Sequence, residues 1–215
     1  MKIQRTPTLR RMPTYLHKLY LMQQEGKTYA SCTDLAKYMN IDLIVTRKDI
    51  AMTGLAGHRH YGYRINELID AILRYVGWDK MVPATLIGAG SLGSAILGYQ
   101  DFADYNLRIE SVFDNNPAKI GTCIHGYTVQ DIAFIKERLQ NAPPKIAILC
   151  VSNTAAQPVA DTLISLGIRY LWNFANVCLT VPEDVIVQRE VIAGGFAVLA
   201  AKIKAAESGN MANEE

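Results

Sequence analysis

The chain has 215 residues, of which 50% are hydrophobic, and its net charge is only +2. This composition excludes collagen-like and intrinsically disordered proteins, because it provides enough apolar side chains for the cores of two small domains. No stretch approaches the roughly 18 apolar residues of a transmembrane helix, and the basic first residues lack the apolar segment of a signal peptide. We therefore expect a cytoplasmic protein that does not associate with membranes.

Basic residues are concentrated in the first third of the chain. Residues 1–64 contain eleven Lys and Arg residues but only four Asp and Glu residues. This asymmetry predicts that the N-terminal part contacts a polyanion such as DNA. The four cysteines form no C-x-x-C pair and have no metal-ligand spacing, so we expect free thiols in a reducing compartment and no metal site. They are Cys32, Cys123, Cys150 and Cys178.

Three helices are predicted in the basic part. The first spans Thr14–Gln24, and Ser31 caps the second, with Asp34 in capping-box spacing. Asn40 ends the second helix, and the third runs over about residues 42–52. The second and third helices, joined by a tight turn, form the pattern of a helix-turn-helix.

The third helix offers candidate recognition residues. Thr46, Arg47 and Lys48 lie near its start, where side chains reach base edges in helix-turn-helix complexes. Arginine pairs with guanine, whereas lysine pairs with guanine or phosphate. A solvated basic helix face is the alternative interpretation.

A glycine-flanked segment, 54–65, follows and resembles the wing of a winged-helix domain. Its tip is basic and consists of His58, Arg59 and His60. An ordinary basic loop is the alternative, and the two histidines have no third metal ligand nearby. A fourth helix is predicted at Asn66–Val76, and residues 77–80 are the candidate linker.

From Met81 onward strands alternate with helices, which predicts a parallel sheet. The apolar run at 145–151 is typical of a strand buried on both faces. The other predicted strands are Ala84–Ile87, Ile109–Phe113, Tyr170–Phe174 and Val177–Val181. Helices are predicted from the glycine-rich turn to about Phe102, at Pro158–Leu166 and at Ile192–Ala206. The last helix is apolar on more than one side, which favours burial against a partner subunit.

The sequence Gly88-x-Gly90-x-x-Gly93 follows a predicted strand and opens a helix. Asp114 ends the next strand, about 20 residues further on, as in a Rossmann-like dinucleotide site. Gly88 permits the tight turn, Gly90 permits approach of the pyrophosphate, and Gly93 permits close packing of helix and strand. Asp114 would bind the ribose hydroxyls and repel a 2′-phosphate, so NAD(H) is favoured over NADP(H). A glycine-rich turn in a sheet that binds nothing is the alternative.

An enzyme would need more than a cofactor site. The chain has no Tyr-x-x-x-Lys pair, and His125 is the only histidine in the nucleotide-binding part. No paired acid and base is evident, which favours a bound dinucleotide that is sensed rather than used in chemistry. Three alternatives stay open: a small NAD-dependent oxidoreductase, a winged-helix regulator that senses another adenine nucleotide or coenzyme A, and thiol sensing by Cys150 or Cys123.

The chain resembles the Rex family of redox-sensing transcriptional repressors over nearly its whole length. In the first part the resemblance lies in Leu9–Pro13 with Tyr15, Ser31 with Leu35-Ala36, Arg47–Ile50 and Gly62-Tyr63. In the second part it lies in Phe113-Asp114-x-x-Pro117-x-Lys119-Ile120-Gly121, Ala156-Gln157-x-Val159-Ala160-Asp161 and Asn173-Phe174-Ala175.

This resemblance implies a homodimer with swapped C-terminal helices. It also implies a palindromic operator that is bound when NADH is scarce and released when NADH rises. Arg10 or Arg11 and Tyr99 match family residues that take part in the switch. Three features depart from the family. Glu190-Val191-Ile192 occupies the region of the switch Asp that opens the family's last helix, Asn176 stands where Pro is usual, and Val45 stands where Gln is often found.

The resulting prediction is an α/β protein with four parts. They are a winged helix-turn-helix domain (1–80), a Rossmann-like NAD(H)-binding domain (81–190), a swapped dimerisation helix (191–207) and a disordered tail (208–215). The predicted dinucleotide contacts are Gly88, Ala89, Gly90, Ser91, Leu92, Gly93, Asp114, Asn115, Lys119, Val151, Ser152, Asn153 and Phe174. The predicted DNA contacts are Arg10, Arg11, Val45, Thr46, Arg47, Lys48, His58, Arg59, His60 and Tyr63.

Overall fold

The computed structural model describes residues 6–211, with side chains for residues 6–208. The chain divides between Met81 and Val82 into two compact units. The basic residues Lys2 and Arg5, and residues 212–215 of the predicted tail, lie outside the described residues.

The N-terminal unit is built from four helices and a two-stranded sheet. In chain order these are α1 (Thr6–Gln24), β1 (Tyr29–Ala30), α2 (Cys32–Met39), α3 (Leu43–Ala51), β2 (Tyr63–Arg64) and α4 (Ile65–Val76). The apolar faces of these helices form the core, in which Tyr15, Leu16, Leu35, Ile50 and Leu68 are fully buried.

The predicted start of the first helix at Thr14 is wrong, because α1 begins at Thr6 and contains Pro13. A proline inside a helix removes one backbone hydrogen bond and usually breaks the helix. Here the turns before Pro13 are held by tertiary contacts, since Met12 is fully buried and Thr8 binds a carboxylate of α3. Packing therefore overrides a local stop signal that a sequence pattern cannot weigh.

The ends of α2 follow the predicted capping pattern, and α3 also has a capped start. The Ser31 hydroxyl accepts from the Asp34 backbone N–H, and the Asp34 carboxylate accepts from the Ser31 N–H. Asn40 ends α2 in the left-handed conformation with φ of 51°. Asp42 caps α3 by accepting from the backbone N–H of Ile44.

The C-terminal unit contains a seven-stranded sheet with helices in its connections. Its strands are β3 (Val82–Ile87), β4 (Leu107–Asp114), β5 (Cys123–Ile124), β6 (Tyr127–Asp131), β7 (Ile146–Leu149), β8 (Tyr170–Asn173) and β9 (Ile186–Arg189). Its helices are α5 (Ser91–Leu97), α6 (Ile135–Leu139), α7 (Asn153–Ser165) and α8 (Ala193–Met211).

The strands are arranged in the order β5-β6-β4-β3-β7-β8-β9, and all neighbours are parallel except β5 and β6. Without β5 this is the doubly wound order in which the chain reverses direction across the sheet between β3 and β7. Ligands of such sheets bind at the carboxyl ends of the strands beside that switch point. The glycine-rich turn after β3 lies there.

Four predicted elements of this unit need correction. The helix predicted at Pro158–Leu166 begins five residues earlier, as α7 spans Asn153–Ser165. The predicted strand Val177–Val181 is irregular, and the edge strand is β9 instead, while Leu179 and Val181 pack against the core without pairing. The helix predicted to reach Phe102 ends at Leu97, and a separate 3-10 turn follows at Gln100–Phe102. The last helix continues to Met211, so the tail predicted from Ser208 is helical in its first residues.

Candidate dinucleotide site and nucleic-acid interface

The three glycines of the turn after β3 have different surroundings. Gly88 has φ of +96°, and a Cβ there would lie 2.5 Å from the Cys150 carbonyl oxygen. A Cβ on Gly93 would overlap the Gly88 carbonyl oxygen, so helix and strand pack together only without a side chain. A Cβ on Gly90 would meet no heavy atom closer than Lys119 Nζ at 3.9 Å. The fold therefore requires Gly88 and Gly93, whereas Gly90 leaves an open space for a ligand.

Asp114 connects this turn to the end of β4. Its Oδ2 accepts from the Ala89 N–H at 2.8 Å, and its Oδ1 accepts from the Asn116 N–H at 2.8 Å. Lys119 Nζ donates to the Ala89 carbonyl oxygen at 2.9 Å and lies 3.9 Å from Asp114 Oδ2. A carboxylate has about four acceptor positions, so this geometry leaves room for further donors such as ribose hydroxyls.

The other predicted dinucleotide contacts are brought to the same sheet edge by β7 and β8. Val151 follows β7, and its Cγ1 would lie 3.1 Å from a Cβ on Gly88. Ser152 caps α7, and Asn153 Oδ1 accepts from the Asn176 N–H. Phe174 follows β8 and packs against the core.

Some predicted contacts have structural roles of their own. Ala89 is buried, and both of its backbone groups are bonded to Asp114 and Lys119. Leu92 packs its side chain against the core, whereas Ser91 and Asn115 are exposed. We therefore assign Ala89 and Leu92 to positioning of the turn.

Tyr99 lies just after α5 and is 48% exposed. Its hydroxyl donates to Asp101 Oδ2 at 2.9 Å, and burial together with Asp101 raises its pKa. Its ring is 4.8 Å from that of Phe102, and the contacts continue through Trp172 to Phe174 at 5.9 and 5.0 Å. A continuous row of rings thus connects Tyr99 to the end of β8.

The structure argues against the alternative that Cys150 senses redox state through its thiol. Burial raises the pKa of this thiol to about 12, so it stays protonated and poorly nucleophilic at neutral pH. Cys123 is exposed on the β5–β6 hairpin. Among residues 6–211, no group of three or more His, Cys, Asp or Glu side chains is arranged to hold a metal ion.

The exposed face of α3 carries the basic residues Arg47 and Lys48, together with Val45. Thr46, in contrast, is fully buried, and its hydroxyl lies within hydrogen-bond distance of the Asp42 carbonyl oxygen. Its prediction as a DNA contact is wrong, because Thr46 lies on the inner face of α3, where residues one turn apart all face the core. Ile44, which the sequence pattern does not single out, is 60% exposed on the same helix.

Asp49 is a buried carboxylate that holds α1 against α3. Arg11 donates to both of its oxygens, from Nε at 2.6 Å and from Nη2 at 2.8 Å. The hydroxyls of Thr8 and Tyr15 donate to it at 2.8 and 2.9 Å. Burial raises the pKa of Tyr15 to about 12, so the phenol stays a donor at neutral pH. Of the two predicted arginines, Arg11 is thus occupied and Arg10 is exposed.

The predicted wing is a tight loop, and the pairing of β1 with β2 fixes the point where the loop leaves the domain. His58 and Gly62 exchange backbone hydrogen bonds, and β2 pairs with β1 rather than with a second wing strand. His58 also lies 3.7 Å from the Glu67 carboxylate and packs edge-on against Tyr29. The exposed tip is Arg59, His60 and Tyr61, and Tyr61 was not predicted.

Tyr63 fixes the base of the wing rather than its tip. It is partly buried, and burial together with the neighbouring Cys32 thiol raises its pKa. A Cβ on Gly57 would lie only 3.2 Å from its ring, so the loop wraps closely around it. This packing gives Tyr63 a positioning role toward α2.

Two family models match the chain. Residues 6–51 match the model described as "Putative DNA-binding protein N-terminus", and residues 79–177 match "CoA binding domain". Within residues 6–211, no helix is both long enough and apolar enough to span a membrane.

Curated relatives cover most of the chain. A redox-sensing transcriptional repressor Rex from Treponema denticola is 39% identical over 92% of this chain and 94% of its own. Another from Bacteroides fragilis is 34% identical over 90% of this chain and 88% of its own. Among solved structures, RSP, a Rex-family repressor, superposes with a TM-score of 0.82 and 27% identity over 99% of this chain and 100% of its own. RSP in complex with β-NAD⁺ and operator DNA superposes with a TM-score of 0.83 and 28% identity, over 100% of this chain and 99% of that one.

Proposed function

The chain belongs to the Rex family of redox-sensing transcriptional repressors, and we propose that it binds palindromic operator DNA as a homodimer and releases it when NADH binds. It is a regulator rather than an enzyme, as its relatives are named. The observation that carries the proposal is the open space at Gly90. Lys119 borders this space, and Asp114 fixes the backbone of the glycine-rich turn beside it.

The residues of this site fit a dinucleotide. Gly90 and the N-terminal turn of α5, including Ser91, would hold the pyrophosphate, and Lys119 adds a positive charge beside it. The remaining acceptor positions of Asp114 would bind the ribose diol and disfavour a 2′-phosphate. Asn115, Val151, Ser152, Asn153 and Phe174 would complete the contacts at the same edge. The dinucleotide acts here as an effector ligand, and the solved structure of RSP in complex with β-NADH supports this assignment.

The DNA-binding surface is proposed on α3 and the wing. Arg47 and Lys48 would enter the major groove with Val45, while Arg59 and His60 would contact the backbone or the minor groove. Arg10 is exposed, whereas Arg11 is bonded to Asp49. Arg10 is therefore the better candidate of the two for the switch arginine. A relative with the same fold has been solved with operator DNA, which supports this surface.

Dimerisation is proposed through α8. All of its described side chains are exposed, and they include Phe196, Val198, Leu199 and Ile203 at 71, 58, 54 and 47%. A helix this apolar on several sides is stable in water when a second copy covers it. We propose a swapped helix, with Tyr99 and its row of rings reporting the state of the dinucleotide site. Since operator DNA is its target, we place the protein in the cytoplasm with the chromosome.

A second candidate function is favoured by one observation. The model matching 79–177 is described as a coenzyme A-binding domain, so a winged-helix regulator that senses coenzyme A has to be tested. Coenzyme A carries a phosphate on its ribose, and the buried carboxylate of Asp114 would repel that group.

The deciding experiment is a titration of a labelled operator, selected from random DNA by the protein itself. NADH is expected to lower the affinity for DNA, whereas NAD⁺ and coenzyme A at the same concentration leave it nearly unchanged. Release by coenzyme A but not by NADH would favour the second candidate. Turnover of NADH without any effect on DNA binding would favour an oxidoreductase.

A further inference from the structure

The N-terminal turn of α3 exposes two adjacent apolar side chains. Ile44 is 60% and Val45 is 37% exposed, although the opposite face of the same helix is buried at Thr46, Asp49 and Ile50. Single exposed apolar residues are ordinary on protein surfaces. This pair is different because it lies on a helix face whose long exposed side chains, Arg47 and Lys48, are basic.

Ile44 shares that face with the basic residues. Arg47 and Lys48 lie three and four positions further on, and side chains at these spacings are neighbours on a helix surface. The backbone N–H of Ile44 is already bonded to the Asp42 carboxylate at 2.5 Å. Ile44 can therefore offer a partner only its alkyl group, and the surface is apolar at one end and basic at the other.

We propose that Ile44 and Val45 recognise the 5-methyl groups of thymine in the operator, next to guanines bound by Arg47. This inference rests on the proposed function of α3 as the recognition helix. In the major groove, the thymine methyl is the group that accepts apolar contacts, and Arg pairs with guanine O6 and N7. A residue without a polar group at this position cannot read a base through hydrogen bonds.

The helix geometry restricts where the thymine lies. Three to four residues of α-helix advance by about 4.5–6 Å, which corresponds to roughly one to two base pairs at 3.4 Å each. Each half-site is therefore expected to have a thymine within two base pairs of the guanine that Arg47 contacts.

The test replaces thymine by uracil, which removes only the methyl group, at each position of the selected operator. Replacement at the predicted position weakens binding about fourfold per half-site, as expected for loss of one buried methylene-sized group. In Ile44→Ala and Val45→Ala this sensitivity falls below about twofold. Phe134→Ala, an exposed apolar truncation in the C-terminal unit, keeps the full sensitivity.

Three results would overturn the inference while leaving the proposed function intact. The first is normal operator binding with no uracil effect at any thymine. The second is an undiminished uracil effect in both alanine variants. The third is a change in the sedimentation of these variants, which would assign the pair to a contact with a second copy. If no sequence is enriched from random DNA, the proposed function and this inference fail together.

Discussion

Arg11 of α1 and Asp49 of α3 form a two-point ion pair inside the N-terminal unit, with Nε to Oδ2 at 2.6 Å and Nη2 to Oδ1 at 2.8 Å. Thr8 and Tyr15 complete a set of four donors around one carboxylate. Because α3 also carries Arg47 and Lys48, Asp49 determines how these basic residues are held relative to α1. The proposed recognition surface is thus anchored by a residue that faces away from it.

The Asp49 carboxylate should make the N-terminal unit sensitive to acid. Burial raises the pKa of Asp49, but hydrogen bonds from Arg11, Thr8 and Tyr15 outweigh burial and lower it. A lowered folded-state pKa gives stability that is present above the unfolded value of about 3.9 and is lost as the pH falls through the folded-state value. Asp49→Asn is expected to cost roughly 2–3 kcal/mol of unfolding free energy at pH 7. This difference should shrink below about pH 4, as measured by urea unfolding.

Arg10→Ala serves as the matched control, because Arg10 is the exposed neighbour of Arg11. Its effect on stability should stay within about 0.5 kcal/mol at every pH. An Asp49→Asn protein with the same acid profile as the unmodified chain would exclude Asp49 as the source of the pH dependence.

Gly90 and Gly93 should separate ligand binding from folding. Gly90→Ala places its Cβ in open space, so the thermal midpoint is expected to stay within a few degrees while NADH affinity falls at least about tenfold, since the methyl group occupies the approach of the pyrophosphate. Gly93→Ala forces its Cβ into the Gly88 carbonyl, so it should lower the midpoint strongly. Differential scanning calorimetry and NADH titration measure both. Equal loss of stability in the two variants would contradict this division of roles.

The sequence alone predicted those parts of the site where only one or a few residue types fit the local geometry. The glycine spacing and the acid after the second strand predicted the turn and the position of Asp114, because few other residues permit that turn. The burial of Thr46 and the exposure of Ile44 were not predictable from composition. Both have side chains that suit either face of a helix, and the inner face of α3 is determined by tertiary packing against α2 and by the bonds of Asp49 to α1.

Element boundaries failed for a similar reason. Pro13 predicts a helix start, yet Thr8, Met12 and the Asp49 contacts extend α1 across it. Val177–Val181 has the composition of a strand but forms none, and the Val177 carbonyl oxygen accepts a hydrogen bond from Asn173 Nδ2. The contact that accompanies the failed boundary is thus distant in sequence at Pro13 and only four residues away at Val177.

Asp114→Ala should weaken NADH binding by roughly 1.5–3 kcal/mol, the range for a hydrogen bond to a charged group. The structure adds a second cause, because the same carboxylate holds the Ala89 N–H and thereby the glycine turn. Isothermal titration calorimetry measures the loss. Asp184→Ala, which removes an exposed carboxylate paired with Arg169, should leave the affinity unchanged. An unchanged affinity in Asp114→Ala would remove this residue from the ribose site.

Arg47→Ala and Lys48→Ala should weaken operator binding while NADH binding stays intact. A base contact is expected to contribute about 1–3 kcal/mol of discrimination, whereas a phosphate contact lowers the salt slope by about one on all DNA. Salt titrations on operator and random DNA distinguish these roles. Arg138→Ala, an exposed arginine of α6, is the control. If neither α3 variant weakens binding, α3 is not the recognition helix.

Removal of the chain from Ile192 onward should abolish the dimer and specific DNA binding together. The described part of α8 exposes Phe196, Leu199 and Ile203, whose burial against a second copy would provide the association energy. Two half-sites are bound well only when the recognition helices of the dimer match the helical repeat of about 34–36 Å. If NADH shifts the dimer away from that spacing, linkage requires operator DNA to weaken NADH binding by the same factor by which NADH weakens DNA binding. Sedimentation and NADH titration with and without operator measure these quantities, and Phe196→Glu provides a dimer-breaking variant of the full-length chain. A truncated protein that remains dimeric and still binds a palindrome would exclude α8 as the dimer contact, while the NADH-sensing site could still be intact.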